Sequence, residues 1–214
     1  IIIKKIGTNY GGWYLPEKLD LNTESIIYSA GVGEDISFDL HLQSIYDCSI
    51  FLIDPTTRSK VHYKEILNYF STNNWKFSGN LQADYEDSIS RLDIDSSKLK
   101  YISFGLWDSI DELKFFKQKN HKNVSQSLIN NMFSSDYDIV HTKTLEDIMG
   151  ENHHSHIDLL KLDIEGAEVR VLKNMLGSKI YPKYLCIEFD FMLKGIDHGH
   201  ETVSIIDKLK NCGY

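Results

Sequence analysis

Apolar residues cluster in five short runs, at positions 25–30, 49–53, 99–104, 157–164 and 184–189, which are rich in Ile, Leu, Phe and Tyr and mostly do not alternate with polar residues. That is the pattern of strands covered on both faces. Between the runs the spacing becomes helical. Tyr63, Ile66, Leu67 and Phe70 fall at i, i+3, i+4 and i+7, behind Thr56, Thr57 and Ser59 as cap candidates. Val169, Leu172 and Leu176 keep the same period and lead to Gly177 as a stop, with Glu165 and Glu168 expected in the first turn, where the helix dipole favours acids. Thr202, Ile205, Ile206 and Leu209 repeat the spacing before Gly213, and Thr144 with Asp147 predicts a capping box opening a short helix over 145–149. One stretch reads both ways. Ile36, Phe38, Leu40 and Leu42 alternate as in a strand, but Phe38, Leu42 and Ile45 also form a helical stripe, and two parallel strands need a crossover between them, so a helix is expected.

Strands alternating with helices predict an α/β fold built as a doubly wound, mostly parallel sheet, with ligands at the carboxyl ends of the strands. A single domain over residues 1–214 is expected, with residues 1–24 as an N-terminal arm and residues 108–135 as an excursion carrying a short strand at 113–117. The formal net charge of −8 disfavours a phosphate backbone as partner, so no nucleic acid is expected. Runs such as Ile50-Phe51-Leu52-Ile53 fall far short of the ~20 residues that cross a bilayer, so no membrane span is expected either. Cys48, Cys186 and Cys212 form neither a disulfide scaffold nor a metal-type spacing, which favours reduced thiols and a cytoplasmic location.

The first run leads into Ser29-Ala30-Gly31-Val32-Gly33-Glu34-Asp35, two glycines at a strand-to-helix turn, where positive φ and close approach of a ligand to bare backbone are available. Asp54 closes the second run 21 residues beyond Gly33, the position from which a carboxylate accepts from the ribose hydroxyls of an adenosine cofactor. A dinucleotide fingerprint would place a third glycine where Ile36 stands, and Glu34-Asp35 would repel a diphosphate. S-adenosylmethionine, with a sulfonium and an amino-acid head in place of phosphate, suits the pattern better.

The fourth run continues as Leu160-Lys161-Leu162-Asp163-Ile164-Glu165-Gly166-Ala167-Glu168, with Val171-Leu172 after it. This stretch resembles the signature of the FkbM-type methyltransferases. Thr144-Leu145-Glu146-Asp147-Ile148, the glycine turn and Ile53-Asp54-Pro55 occur in the order that resemblance leads one to expect, so it covers most of residues 25–190. It implies a Rossmann-like class I fold and S-adenosylmethionine as methyl donor, the acceptor being a hydroxyl oxygen of a small molecule or carbohydrate. Carried onto this chain, Ser29, Gly31 and Gly33 would face the methionine part and Asp54 the ribose. Gly105, Leu106 and Trp107 would line the adenine, and Asp163 would lie beside the reacting methyl. The chain departs from the resemblance at Ser29–Gly33, where an acidic residue and a longer Gly-Ala-Asn-x-Gly run are more usual.

An alcohol acceptor must lose a proton, and Asp163, Glu165, Glu188 and His198, with His200 beside it, are the candidate bases. No metal is assigned: His153-His154-Ser155-His156 falls before the fourth run, at the amino end of the sheet, and reads as solvated loop. Tyr10-Gly11-Gly12-Trp13-Tyr14 offers a lid or an aromatic platform for an acceptor. Two other classes compete, a nicotinamide-dependent oxidoreductase or nucleotide-sugar enzyme on the same sheet, and a non-catalytic adenosine-binding module. The resemblance implies seven strands closed by a hairpin, and five are placed before Cys212-Gly213-Tyr214. A missing closing hairpin and an exposed apolar edge at 185–189 are therefore expected.

Overall fold

The computed structural model describes residues 2–118, 126–127, 133–189 and 199–214. In chain order the strands are β1 Ile3–Ile6, β2 Trp13–Pro16, β3 Ile26–Ala30, β4 Ser49–Ile53, β5 Leu99–Ile102, β6 Gly105–Leu106, β7 Glu112–Gln118, β8 Gln126–Ser127, β9 Phe133–Lys143, β10 Leu159–Leu162 and β11 Tyr184–Ile187. The helices are α1 Ser37–Tyr46, α2 Thr57–Thr72, α3 Tyr85–Ile89, α4 Leu145–Glu151, α5 Glu168–Gly177 and α6 Gly199–Asn211. All five predicted strands are present, as β3, β4, β5, β10 and β11, and they make a five-stranded parallel sheet flanked by helices, the Rossmann-like α/β arrangement. Contacts divide the chain into two compact units, Ile1–Ser103 and Phe104–Tyr214.

In the first unit β3 pairs in parallel with β4, and β4 with β5. Ile27, Tyr28, Ile50, Phe51, Leu52 and Ile53 are all buried, which explains why these runs do not alternate. The ambiguous stretch is helix α1. Ser37, Phe38, Asp39, Leu40, Leu42 and Gln43 are buried on it while Ile45 is 58% exposed, so the helix is covered over most of its circumference rather than along the predicted stripe. A helix buried on several faces loses the clean 3.6-residue signal and can imitate alternation. Helix α2 starts where predicted, with the Thr56 hydroxyl accepting from the Ser59 N–H. The N-terminal arm contains an unpredicted antiparallel hairpin, β1 with β2. Its turn is tied to the head of α1: the Thr8 hydroxyl donates to Asp35 Oδ2 at 2.6 Å and the Thr8 N–H to Ser37 Oγ at 2.9 Å. Tyr10 and Tyr14 on this hairpin are exposed.

In the second unit β10 pairs in parallel with β11, and the excursion is an antiparallel pairing of β7 with β9, longer than the strand predicted at 113–117. The capping box at Thr144 is complete, with the Thr144 hydroxyl accepting from the Asp147 N–H and the Asp147 carboxylate accepting from the Thr144 N–H and hydroxyl. Strand β10 is shorter than the apolar run that announced it, because Asp163 and Ile164 already belong to the following turn. Among the described strands β11 pairs only with β10, and Tyr184, Leu185 and Ile187 are half-buried on it. Among the described residues no helix is long and apolar enough to cross a membrane.

Candidate active site

Strand β3 delivers the chain into the glycine turn of the first unit. Gly31 (φ +74°) and Gly33 (φ +55°) both adopt left-handed backbone, which a side chain would strain. The turn is pinned to the end of β4. The Gly31 N–H donates to the Ile53 carbonyl at 2.9 Å and the Gly33 N–H to Asp54 Oδ2 at 3.0 Å. Asp54 is 4% exposed, and its other oxygen, Oδ1, accepts from the Thr56 N–H and hydroxyl at 2.8 and 2.7 Å. The Asp54 backbone is held as well, its N–H donating to the Ile102 carbonyl and its carbonyl accepting from the Tyr101 hydroxyl. The predicted ribose carboxylate is thus a fixed group, locked at once to the glycine turn and to the entrance of α2.

Ser29, at the end of β3, is fully buried and its hydroxyl oxygen has no hydrogen-bond partner among the described residues. Buried hydroxyls are seldom left so, which makes this one an exception among the described residues. A Cβ added at Gly33 would meet nothing within 4 Å, so the turn has open space before it. The two acids that follow are both engaged. Glu34 forms an ion pair with Arg58 at 2.7 Å, and Asp35 accepts from Thr8 and from the Ser37 N–H. Their predicted repulsion of a diphosphate is therefore partly neutralised. The steric argument is stronger, since Ile36 is buried at the N-cap of α1 where a dinucleotide fold keeps a glycine.

In the second unit Gly105 and Leu106 form β6, paired in parallel with Thr142 and Lys143 of β9. Leu106 is buried there, and a Cβ at Gly105 would come within 3.2 Å of the Thr142 methyl. Trp107 is half-buried. Its N–H donates to the Lys143 carbonyl, and the Arg170 guanidinium lies 5.1 Å from its ring centroid, itself held by Asp108 at 3.2 Å. Arg170 was not anticipated because an exposed helix residue carries no sequence mark of a ring beneath it.

The turn after β10 differs from its prediction. Glu165 and Glu168 do not share a first helical turn, because α5 begins at Glu168. The buried Glu168 side chain reaches back instead: Oε1 accepts from the Ile164 N–H at 3.0 Å, and both oxygens accept from the Gly166 N–H at 3.1–3.2 Å. So clamped, the chain passes through two left-handed residues in succession, Glu165 (φ +54°) and Gly166 (φ +100°). A glutamate held in that region costs on the order of 1 kcal/mol, and such strain gathers at functional turns. Glu168→Gln keeps the shape but weakens the clamp, and should lower stability by about 1 kcal/mol in urea unfolding. An unchanged midpoint would mean that the clamp does not hold the turn.

Asp163, half-buried, directly follows β10, and its Oδ2 lies 3.7 Å from the Lys161 ammonium. Glu188 is exposed just after β11, its N–H bonded to the Leu162 carbonyl, and His200 is exposed in the first turn of α6. His198 lies outside the described residues. Lys161 is the residue the sequence reading passed over, although a lysine inside an apolar strand run was a visible anomaly.

Neither a curated protein nor a solved structure matches the chain. The family model described as Methyltransferase FkbM domain does match, over residues 9–214, and with nearly the whole length covered the chain belongs to that family of methyltransferases.

Proposed function

We propose that the protein transfers a methyl group from S-adenosylmethionine to a hydroxyl oxygen of a small molecule or carbohydrate. The observation that carries this reading is the lock between the Gly33 N–H and Asp54, which sets a buried carboxylate and bare left-handed backbone side by side at the carboxyl ends of β3 and β4. These groups fit the donor: Gly31 and Gly33 offer bare left-handed backbone, the space before Gly33 is open, and no pyrophosphate cradle is needed.

When bound, the donor supplies an electrophilic methyl on a sulfonium. In the first unit Ser29, Gly31 and Gly33 would hold its methionine part and Asp54 its ribose. In the second unit Gly105, Leu106 and Trp107 are assigned to the adenine. Asp163, beside the reacting methyl, would meet the donor as well, and with Glu165 it is assigned to orient the acceptor and receive its proton, Glu188 and His198 being further candidates. An acceptor hydroxyl aligned in line with the carbon gains several kcal/mol from orientation alone, about 7 kcal/mol or more in well-aligned intramolecular reactions, so holding the oxygen is the protein's main task. Proton removal adds a smaller factor, about 10²–10⁴ in rate.

The protein is expected to show a thermal shift with S-adenosylhomocysteine and none with NAD. A response to both alike, or to neither, would remove the support for this donor. A cytoplasmic site of action belongs to the same proposal, resting on three free cysteines, of which Cys48 and Cys186 are buried.

A further inference from the structure

Strand β10 reads Leu159-Leu160-Lys161-Leu162, and all four residues are buried. Among the described residues Lys161 is the one buried lysine, at 4% exposure. An ammonium inside an apolar sheet is expensive, several kcal/mol even after relaxation, and a partner carboxylate seldom returns more than the cost. Stability therefore does not account for it. Asp163 lies just past the end of β10, two residues after Lys161, and the two side chains approach each other, the first from within the sheet and the second from its carboxyl end. The ammonium stands 3.7 Å from Asp163 Oδ2, and the Asp163 side chain keeps 35% exposure against 5% for Lys161. The buried end is the cation and the accessible end is the carboxylate.

We infer that Lys161 is a positioning residue, a buried cation that fixes the Asp163 carboxylate at the strand end in the orientation the methyl-transfer site uses. The inference rests on the donor reading above, in which Asp163 meets the bound ligand. Its test is the Kd for S-adenosylhomocysteine by calorimetry, with thermal melting in parallel, on the full chain. Lys161→Met matches the side chain in length without the charge, and because it removes one member of a buried ion pair it should melt below the parent temperature and still fold. Its Kd should also rise about tenfold, Lys161→Arg should restore it to within about threefold, and in an Asp163→Asn background Lys161→Met should change it by less than about twofold. A structural role would lower the melting temperature and leave the affinity alone. A folded Lys161→Met with the parent Kd, or a full tenfold loss on top of Asp163→Asn, overturns the inference. Should Lys161→Met not fold, Lys161→Gln takes its place with the same tenfold expectation, and an unchanged Kd again overturns it. If the parent protein itself fails to bind, the donor reading falls and takes this inference with it; binding by the parent with no effect of Lys161 sinks the inference alone.

Discussion

Replacing Asp54 with alanine is expected to lower the stability of the protein by at least about 3 kcal/mol and to abolish measurable binding of S-adenosylhomocysteine. The stability part follows from the acceptor bonds the carboxylate makes. The Gly33 N–H, the Thr56 N–H and the Thr56 hydroxyl all donate to it, and the residue is buried, so removing both oxygens strands three donors where little water can replace the lost acceptor. Each stranded group costs about 1–3 kcal/mol. The binding part follows from the same bonds, since the glycine turn is held to the end of β4 through Gly33. Asp54→Asn separates the two effects. It retains one acceptor oxygen and most of the packing, so it should fold, with a loss nearer about 1.5 kcal/mol, and still bind S-adenosylhomocysteine at least tenfold more weakly if the charge serves the ribose. Urea unfolding and calorimetry on both variants decide the matter. An Asn variant that binds as the parent does would reduce Asp54 to a clamp for the turn.

The structural role of Asp54 was not legible in the sequence. The 21-residue interval from Gly33 to Asp54 led to the expectation of a ribose carboxylate, and the structure shows that carboxylate organising the turn and the head of α2. Periodicity located every strand of the parallel sheet: β3, β4 and β10 are buried over nearly their whole length and leave apolar runs with few polar breaks, and the less buried β5 and β11 still carry mostly apolar residues. It failed where burial and backbone strain are not written in residue type. Glu168 looked like an ordinary first-turn acid and instead clamps the turn before its own helix. Glu165 looked helical and is left-handed, a conformation that no propensity assigns to glutamate. The β1–β2 hairpin was missed because Ile3-Lys4-Lys5-Ile6 does not alternate cleanly, its anchoring coming from Thr8 against Asp35 and Ser37 some 27 to 29 positions away. Lys161 was the reverse case, a plain anomaly in the sequence whose meaning needed its burial and the distance to Asp163.

A pH dependence of stability is expected from His62, about 2 kcal/mol lost between pH 7.5 and pH 5. The residue lies on α2, is 1% exposed and sits against the rings of Phe77 and Tyr85. Its Nε2 is 2.7 Å from the Tyr85 hydroxyl, which also accepts from the Ile36 N–H at 3.4 Å. With that N–H pointing at the oxygen, the hydroxyl proton is directed to His62 Nε2, and Nδ1 has no hydrogen-bond partner among the described residues. Protonation would put a charge in this pocket and remove the acceptor that the hydroxyl uses. Burial accordingly pushes the His62 pKa down from 6.5 to about 4. Between these values the unfolded chain binds a proton that the folded one refuses. The stabilisation is therefore complete above about pH 6.5, falls as the pH drops, and is exhausted below about pH 4. Burial lowers the His41 pKa too, so it adds with the same sign. His62→Gln keeps a polar end for Tyr85 and cannot titrate. In urea unfolding at pH 7.5 and pH 5 it should lose most of the parent's difference, and a variant whose stability falls as steeply as the parent's would place the proton uptake on another group. The His62 pocket adjoins the glycine turn, because Ile36, whose N–H meets Tyr85, caps the helix that follows that turn. Loss of the His62–Tyr85 contact in acid should thus loosen the head of α1 first, and weaken S-adenosylhomocysteine binding at pH values where the protein is still folded.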